Sequence, residues 1–182
     1  MKLLFILLFA LAILGCSGNE SDTKNKDAKS LRTRNLALAY IDSGMMKGAS
    51  EKLAMLESLL PGEAFVYANQ GVVALRQNKL EEAKTLLAKA NALATNDPAI
   101  ALLRSEVAML TGQFEESKNI IEKAIIANPN SMQLRWALSD QLEHVEVIVQ
   151  AIPENIVARL ALIKALLKEE NFNAARIHLL AL

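Results

Sequence analysis

The sequence has few of the residues on which most protein chemistry depends. One cysteine and two histidines exclude an intramolecular disulfide and leave almost no ligands for a transition-metal site. Aromatic residues make up 4%, and seven glycines and four prolines are few for 182 residues. Twenty basic residues balance twenty acidic ones, which argues against a nucleic-acid footprint and against an acidic solvating domain. These deficits point away from catalytic and nucleic-acid functions.

Apolar residues are plentiful, at 52% of the chain, and alanine and leucine dominate them. Such a chain buries a sizeable core. Alanine and leucine are strong helix formers, and glycine and proline, which interrupt helices, are scarce. We therefore predict an all-α protein.

Known catalytic motifs are absent from the sequence. It has no glycine-rich phosphate loop, no cysteine pair, no His-Glu-x-x-His and no Gly-x-Ser-x-Gly. His144 and His178 have no cysteine or second histidine nearby and are interpreted as ordinary helix residues. Trp136 stands alone and is interpreted as a core residue. We predict that the chain is not an enzyme and has no catalytic residue, no cofactor and no metal.

The amino terminus has the pattern of an export signal. Lys2 precedes an apolar run over residues 3–14, which is too short for the roughly 20 residues that a membrane-spanning helix needs. At its end, Ile13-Leu14-Gly15-Cys16 resembles a bacterial lipobox, which implies cleavage before Cys16 and lipidation of its thiol. The alternative is an ordinary signal sequence with a buried cysteine. We predict a signal peptide over residues 1–15 and lipid on Cys16.

The stretch after the cysteine is almost wholly polar (SGNESDTKNKDAK). We predict that residues 16–29 form the lipidated cysteine and a flexible tether. In Gram-negative lipoproteins the residue after the cysteine influences sorting, and Ser17 at this place resembles an outer-membrane destination. The resemblance implies a lipid-anchored protein of the cell envelope, on the outer membrane and facing the periplasm.

The rest of the chain repeats with a period of 34 residues. Small residues fall at positions 8 and 20 of successive units, and turn residues fall at position 15. Position 8 is occupied by Ala37, Gly71 and Ser105; position 20 by Ala49, Ala83 and Ser117; and position 15 by Gly44, Asn78 and Gly112. Apolar residues between them recur at helical spacing. Each unit therefore reads as two amphipathic helices joined by a short turn.

Segments such as YANQGVVALRQNKLEEAKTLLAKA and GQFEESKNIIEKAIIANP resemble the tetratricopeptide repeat family. The resemblance implies an α-solenoid over residues 30–182, with units at 30–63, 64–97 and 98–131, a shortened unit at 132–155 and an incomplete one at 156–182. Pro153 arrives ten residues early in the fourth unit. Its segment VEVIV has strand propensity, but a short buried helix is the favoured interpretation.

The family resemblance also implies a ligand-binding concave surface, built by positions 2, 5, 9, 12 and 13 of each first helix. We call these positions the inner face. The predicted protein-binding residues on it are Phe65, Val72, Leu75, Arg76, Leu102, Glu106 and Met109. The same register adds Leu110 in the third unit and Val157, Leu160, Lys164, Leu167 and Lys168 in the fifth. The alternative is that neighbouring helices bury many of these side chains.

Two functional hypotheses remain open. The leading one is a non-enzymatic, lipid-anchored scaffold that binds a protein or peptide partner in the cell envelope, in the assembly of an envelope or secretion complex. The other is that the chain is the amino-terminal interaction module of a longer exported protein. No polar capping helix follows the last unit, so the final helix, with Leu179, Leu180 and Leu182, is expected to support self-association or to continue into further sequence.

Overall fold

Ten α-helices follow one another along residues 18–182, the range that the computed structural model describes, with side chains described from residue 24 onward. This range contains no strand. The helices are α1 Gly18–Asp42, α2 Met46–Leu59, α3 Ala64–Arg76, α4 Leu80–Leu93, α5 Pro98–Leu110, α6 Phe114–Ala127, α7 Met132–Ala137, α8 Leu142–Ala151, α9 Ile156–Lys168 and α10 Phe172–Leu180. The predicted all-α fold is confirmed.

Each odd-numbered helix packs against the even-numbered helix that follows it, and each pair packs against the next. The first helices also meet one another along the stack, because α3 contacts α5 and α5 contacts α7. Helix α3 begins at Ala64, α5 at Pro98 and α9 at Ile156, the residues at which units were expected to start. The architecture is an α-solenoid of helix-turn-helix units.

The turn inside a unit is made by one residue with a left-handed backbone. Gly44, Asn78, Gly112 and Glu170 have φ of 74°, 57°, 76° and 61°, and all four stand at position 15 of their units. A residue with positive φ ends a helix because it reverses the chain direction after the last turn. The repeat period is therefore visible in the backbone as well as in the sequence.

Side-chain caps fix where two of the first helices start. The Asp97 carboxylate accepts hydrogen bonds from the backbone N–H groups two and three residues further on, at 2.8 and 3.1 Å. Pro98 follows as the first helical residue, where its missing N–H costs nothing. Asn155 caps α9 in the same way, at 3.0 Å from the Ala158 nitrogen. Both caps satisfy N–H groups that have no partner inside the helix.

The small residues at positions 8 and 20 lie where the two helices of a unit cross. All six are buried, which lets the helix backbones approach closely. In the third unit the two residues are serines, and their hydroxyl oxygens lie 2.7 Å apart in a hydrogen bond. The first unit carries the apolar version of this contact, Ala37 and Ala49, each with no exposed surface.

We predict that Ser105→Ala lowers the free energy of unfolding more than the double change of Ser105→Ala and Ser117→Ala does. The single variant leaves the Ser117 hydroxyl buried without its partner, at a cost of about 1 to 3 kcal/mol of unfolding free energy. The double variant reproduces the first unit's alanine pair and removes both polar groups. Urea unfolding followed by circular dichroism measures both values. A double variant less stable than the single one would contradict the role given to the hydrogen bond.

The predicted flexible tether is wrong for the part that the structure describes. Helix α1 begins at Gly18, so the stretch from residue 18 to 29 is helical and continues into the first unit without a break. Side chains 24–29 are exposed. Polarity prevents these residues from burying a face, but no proline or glycine between Asn19 and Asp42 interrupts a helix. Those 12 residues span about 18 Å as a helix.

The fourth unit is shortened, as its early proline indicates. Its first helix, α7, covers only six residues, and α8 ends at Ala151 shortly before Pro153. The segment VEVIV lies within α8, and Val145, Ile148 and Val149 are buried against α9 and α10 residues such as Leu162 and Ala175. Tertiary packing thus decides for helix over the strand propensity of these residues.

Candidate functional site

The amino-terminal part of the inner face is largely covered by its neighbours. Phe65, Val72 and Leu75 on α3 are half-buried. The Arg34 guanidinium of α1 lies 4.0 Å from the centre of the Phe65 ring, a cation–π contact. Arg76 is exposed, but one of its guanidinium nitrogens donates to the backbone carbonyl of Ile41. These side chains connect the first two units more than they offer a free surface.

In the third unit the inner face becomes more open. Leu102 on α5 is half-buried against the core cluster that contains Ala101 and Leu134. Glu106 is exposed, and 51% of Met109 is accessible to solvent. Leu110, next to Met109, is also more than half exposed. Of the predicted binding residues, Glu106 and Met109 are therefore the best placed to touch a partner.

Large apolar side chains are also exposed on α7 and α9. Trp136 is 41% exposed, so its interpretation as a core residue is wrong. On α9, Val157, Leu160 and Leu167 are each about half exposed. Large apolar side chains are thus exposed at inner-face positions of α5, α7 and α9.

A cavity of about 460 Å³ lies at the carboxyl-terminal end of this surface. It is lined by Ser139 and Asp140, which follow α7, and by Ala161, Lys164 and Lys168 of α9. Lys164 and Lys168 are exposed and stand at inner-face positions 9 and 13. This cavity combines an apolar floor, made by Ala161 and Ala165, with two cationic side chains and the single carboxylate of Asp140.

The sequence register alone does not identify which inner-face positions remain free. Trp136 was interpreted as a core residue because a lone tryptophan in a helix is more often buried. Trp136 falls at inner-face position 5 when the unit is counted from residue 132, but the position alone does not show whether neighbouring helices cover the side chain. The predicted lipidation residue, Cys16, lies outside the described residues.

Chemistry other than binding finds no support among the described residues. No group of three or more histidine, cysteine, aspartate or glutamate side chains is placed there to hold a metal ion. His144 is buried, with its Nε2 atom 3.4 Å from a carboxylate oxygen of the neighbouring Glu143. Along residues 18–182 no helix has both the length and the apolar character needed to cross a bilayer.

The last helix exposes several large apolar side chains. Ile177, Leu179 and Leu180 on α10 are each more than half exposed, and half of Leu182 is exposed as well. The opposite side of the helix packs Ala175 against α9. Self-association through this end stays a prediction.

Comparison with known proteins agrees with this architecture. Residues 74–142 match the family model described as Tetratricopeptide repeat, a repeat family rather than a catalytic one. PilF of Pseudomonas aeruginosa is similar in structure, with a TM-score of 0.72 and 18% identity over 85% of this chain and 75% of that one. MamA of Desulfovibrio magneticus RS-1, residues 41 to the end, gives a TM-score of 0.68 and 16% identity, over 84% and 92% of the two chains.

The second tetratricopeptide domain of human RPAP3 was solved in complex with an HSP70 peptide. The alignment includes 63% of this chain and 95% of the RPAP3 domain, with a TM-score of 0.55 and 19% identity. No curated protein matches this chain. Likenesses at such identities establish the fold alone. The family match covers residues 74–142, and the solved structures share the helical-repeat fold of this chain.

Proposed function

We propose that this tetratricopeptide-repeat chain is a non-enzymatic scaffold that is anchored by lipid in the bacterial cell envelope and holds a protein partner on its inner face. The observation that carries the proposal is that large apolar side chains are exposed at inner-face positions of successive units, namely Met109, Trp136, Leu160 and Leu167. Large apolar patches of this kind mark interaction sites, because leaving them in water is unfavourable.

The apolar character of this surface selects the kind of partner. An amphipathic helix or an extended apolar segment would bury these side chains, at about 1.5 to 3 kcal/mol for each large residue before ordering costs are subtracted. Lys164 and Lys168 at one end favour a segment with acidic residues at one of its ends. The RPAP3 domain, solved with a peptide bound, supports the view that a fold of this type can hold a peptide.

Lipidation of Cys16 would place this surface near a membrane. A lipidated cysteine of this type carries diacylglycerol on its thiol and an acyl group on its amine, which makes three acyl chains. Stable anchoring needs two lipid chains, and each buried CH2 group contributes about 0.8 kcal/mol of membrane binding. Ser17 favours the outer membrane, with the solenoid facing the periplasm. The polar start of α1, with side chains 24–29 exposed, would act as a spacer between the lipid and the first unit.

We predict that Cys16→Ser abolishes lipid attachment and membrane retention. Labelling with a palmitate analogue and fractionation of native cells measure both properties. Ser17→Ala serves as the matched control, since it keeps the thiol and should stay with the membrane. Wild-type protein that carries no lipid and fractionates like Cys16→Ser would contradict the anchoring.

The partner itself is tested by chemical crosslinking in native membranes with Cys16 intact, followed by purification through a tag. One membrane-associated protein should be recovered in amounts similar to the chain. Recovery of the chain alone under these conditions would argue against a scaffold.

A further inference from the structure

Successive units place one pair of residues at the same point in the groove between their second helices. The pair consists of position 7 of a unit and position 28 of the unit before it. In chain order the pairs are Gln70 with Glu57, Arg104 with Asn91, and Leu138 with Ile125. We call the groove between α2 and α4 the first outer groove and the groove between α4 and α6 the second outer groove.

Polar groups in the first outer groove satisfy one another. The Gln70 amide donates to a Glu57 carboxylate oxygen at 2.8 Å. The Lys79 ammonium nitrogen lies 3.6 Å from a carboxylate oxygen of Glu82. The ammonium group of Lys89 lies 5.7 Å from the centre of the Tyr67 ring. A hydrogen bond to Glu57, together with desolvation and the negative charge of that carboxylate, raises the pKa of the Tyr67 phenol. Two acidic and two basic residues line this groove, so its charge is balanced.

The third pair in chain order, Leu138 with Ile125, belongs to the apolar core. Leu138 and Ile125 are both buried and lie in one apolar cluster with Ile121 and Leu134. The first and third pairs therefore have no group left to bind a ligand. Gln70 and Glu57 are joined by a hydrogen bond, and Leu138 and Ile125 pack in the apolar core.

The second outer groove is different because its pair is open. Asn91 stands where the first groove has Glu57, and Ala101 stands where it has the Tyr67 ring. A cavity of about 440 Å³ occupies the space. Within the part of the chain that the structure describes, the half-buried Arg104 guanidinium has no hydrogen-bond acceptor and no ion-pair partner. A cation thus lines a groove in which its register equivalent, Gln70, is paired.

The lining of this groove combines charge, amides and apolar surface. Arg104 and Lys123 supply positive charge, and Glu116 is the one acidic residue of the cavity lining. Asn91, Asn96 and Asn119 add side-chain amides, while Ala101, Ile120 and Ala124 form apolar parts of the wall. A guanidinium fork matches a carboxylate in two parallel hydrogen bonds, and amides match the peptide backbone.

We infer that the second outer groove binds an acidic side chain, glutamate or aspartate, of an extended segment of a protein partner. Arg104 receives the carboxylate, in the place that Glu57 fills in the first groove, and Asn91 and Asn119 bind the neighbouring peptide groups. Glu116 disfavours a doubly charged phosphate more than a singly charged carboxylate. The site is distinct from the inner face, since Arg104 lies about 140 to 160° around α5 from Met109 and Leu102.

The test uses the full-length protein in detergent and two capped peptides, N-acetyl-Ala-Ala-Glu-Ala-Ala-amide and its glutamine twin, with nitrogen-15 NMR as the readout. The glutamate peptide should shift the side-chain amide signals of Asn91 and Asn119, and the glutamine twin should shift them at least about fivefold less at equal concentration. Inorganic phosphate is titrated as a third probe. Equal binding of the two peptides, or tighter binding of phosphate, would overturn the assignment.

Three variants make the test specific to the groove. Arg104→Gln should weaken binding of the glutamate peptide about tenfold, and Glu116→Gln should strengthen it. Asn91→Glu retains Arg104 but supplies the carboxylate of the first groove, so it should abolish peptide binding. Gln70→Ala, in the first groove, is the matched control and should leave the affinity unchanged. Unchanged binding in both Arg104→Gln and Asn91→Glu, with native circular dichroism spectra, would place the peptide elsewhere.

Discussion

Replacing Gly71 with leucine should unfold the α3–α4 pair under conditions in which the wild-type chain is folded. A Cβ atom at Gly71 would lie 2.7 Å from Cγ and 2.8 Å from Cδ2 of Leu87, closer than real Cβ contacts come. Leu87 has no exposed surface and packs in the core cluster with Ala74, Ala83 and Val107, so a large side chain at Gly71 has to displace this cluster. Overpacking of this kind costs about 1 to 3 kcal/mol for small additions, and a whole leucine side chain exceeds that range.

Urea unfolding monitored by circular dichroism measures the effect, and alanine variants provide the control. At Gly48 a new Cβ would meet the Tyr40 ring at 3.0 Å, and that half-buried ring can shift. Alanine also gains about 1 kcal/mol of helix propensity over glycine. Gly48→Ala should therefore remain within about 1 kcal/mol of wild type, and Gly71→Ala should be the less stable of the two. If Gly71→Leu unfolded at the wild-type urea concentration, the packing register of α3 on α4 would be wrong.

Combining Met109→Glu with Leu160→Glu should abolish binding of the native partner and leave the fold intact. Each change removes about 1.5 to 3 kcal/mol of apolar burial and adds a carboxylate that loses water on binding. The combined loss exceeds a hundredfold in affinity. Both positions are about half exposed on their helices, so helix content should not change.

A matched control exists on the other side of the solenoid. Ile126 on α6 is a second-helix residue and is 81% exposed. Ile126→Glu makes the same chemical change on a surface that the proposal does not use, so this variant should bind like wild type. The comparison is made by quantitative co-purification from crosslinked native membranes. Leu75→Glu is a poorer probe, because Leu75 packs against the core cluster of Leu87 and Val107.

The repeat period carried most of the fold prediction. Close helix packing requires small residues at positions 8 and 20, and the turn requires a left-handed residue at position 15, so both leave marks in the sequence. The turn after α9, in the fifth unit, follows the same rule. Glu170 stands at position 15 there and takes the left-handed backbone, although it is neither glycine nor asparagine.

The predictions that failed concern features that the 34-residue repeat does not determine. The polar stretch after Ser17 carries no apolar periodicity, and polarity alone did not distinguish an exposed helix from a flexible tether. Trp136 was misjudged because its exposure depends on how far the short α7 is covered by its neighbours. The free state of Arg104 depends on which residue stands 13 positions earlier, on another helix, and this became visible only when the helices were in place.

The most direct test of the central claim is site-specific photocrosslinking in native cells, with a photoreactive residue at Met109, Leu160 or Ile126 in a chain that keeps Cys16. A segment seated on the inner face lies against the first two positions and away from the third. Met109 and Leu160 should therefore crosslink to the same envelope protein, and Ile126 should not. Crosslinking of that protein from Ile126, with none from Met109 or Leu160, would contradict the proposed binding surface.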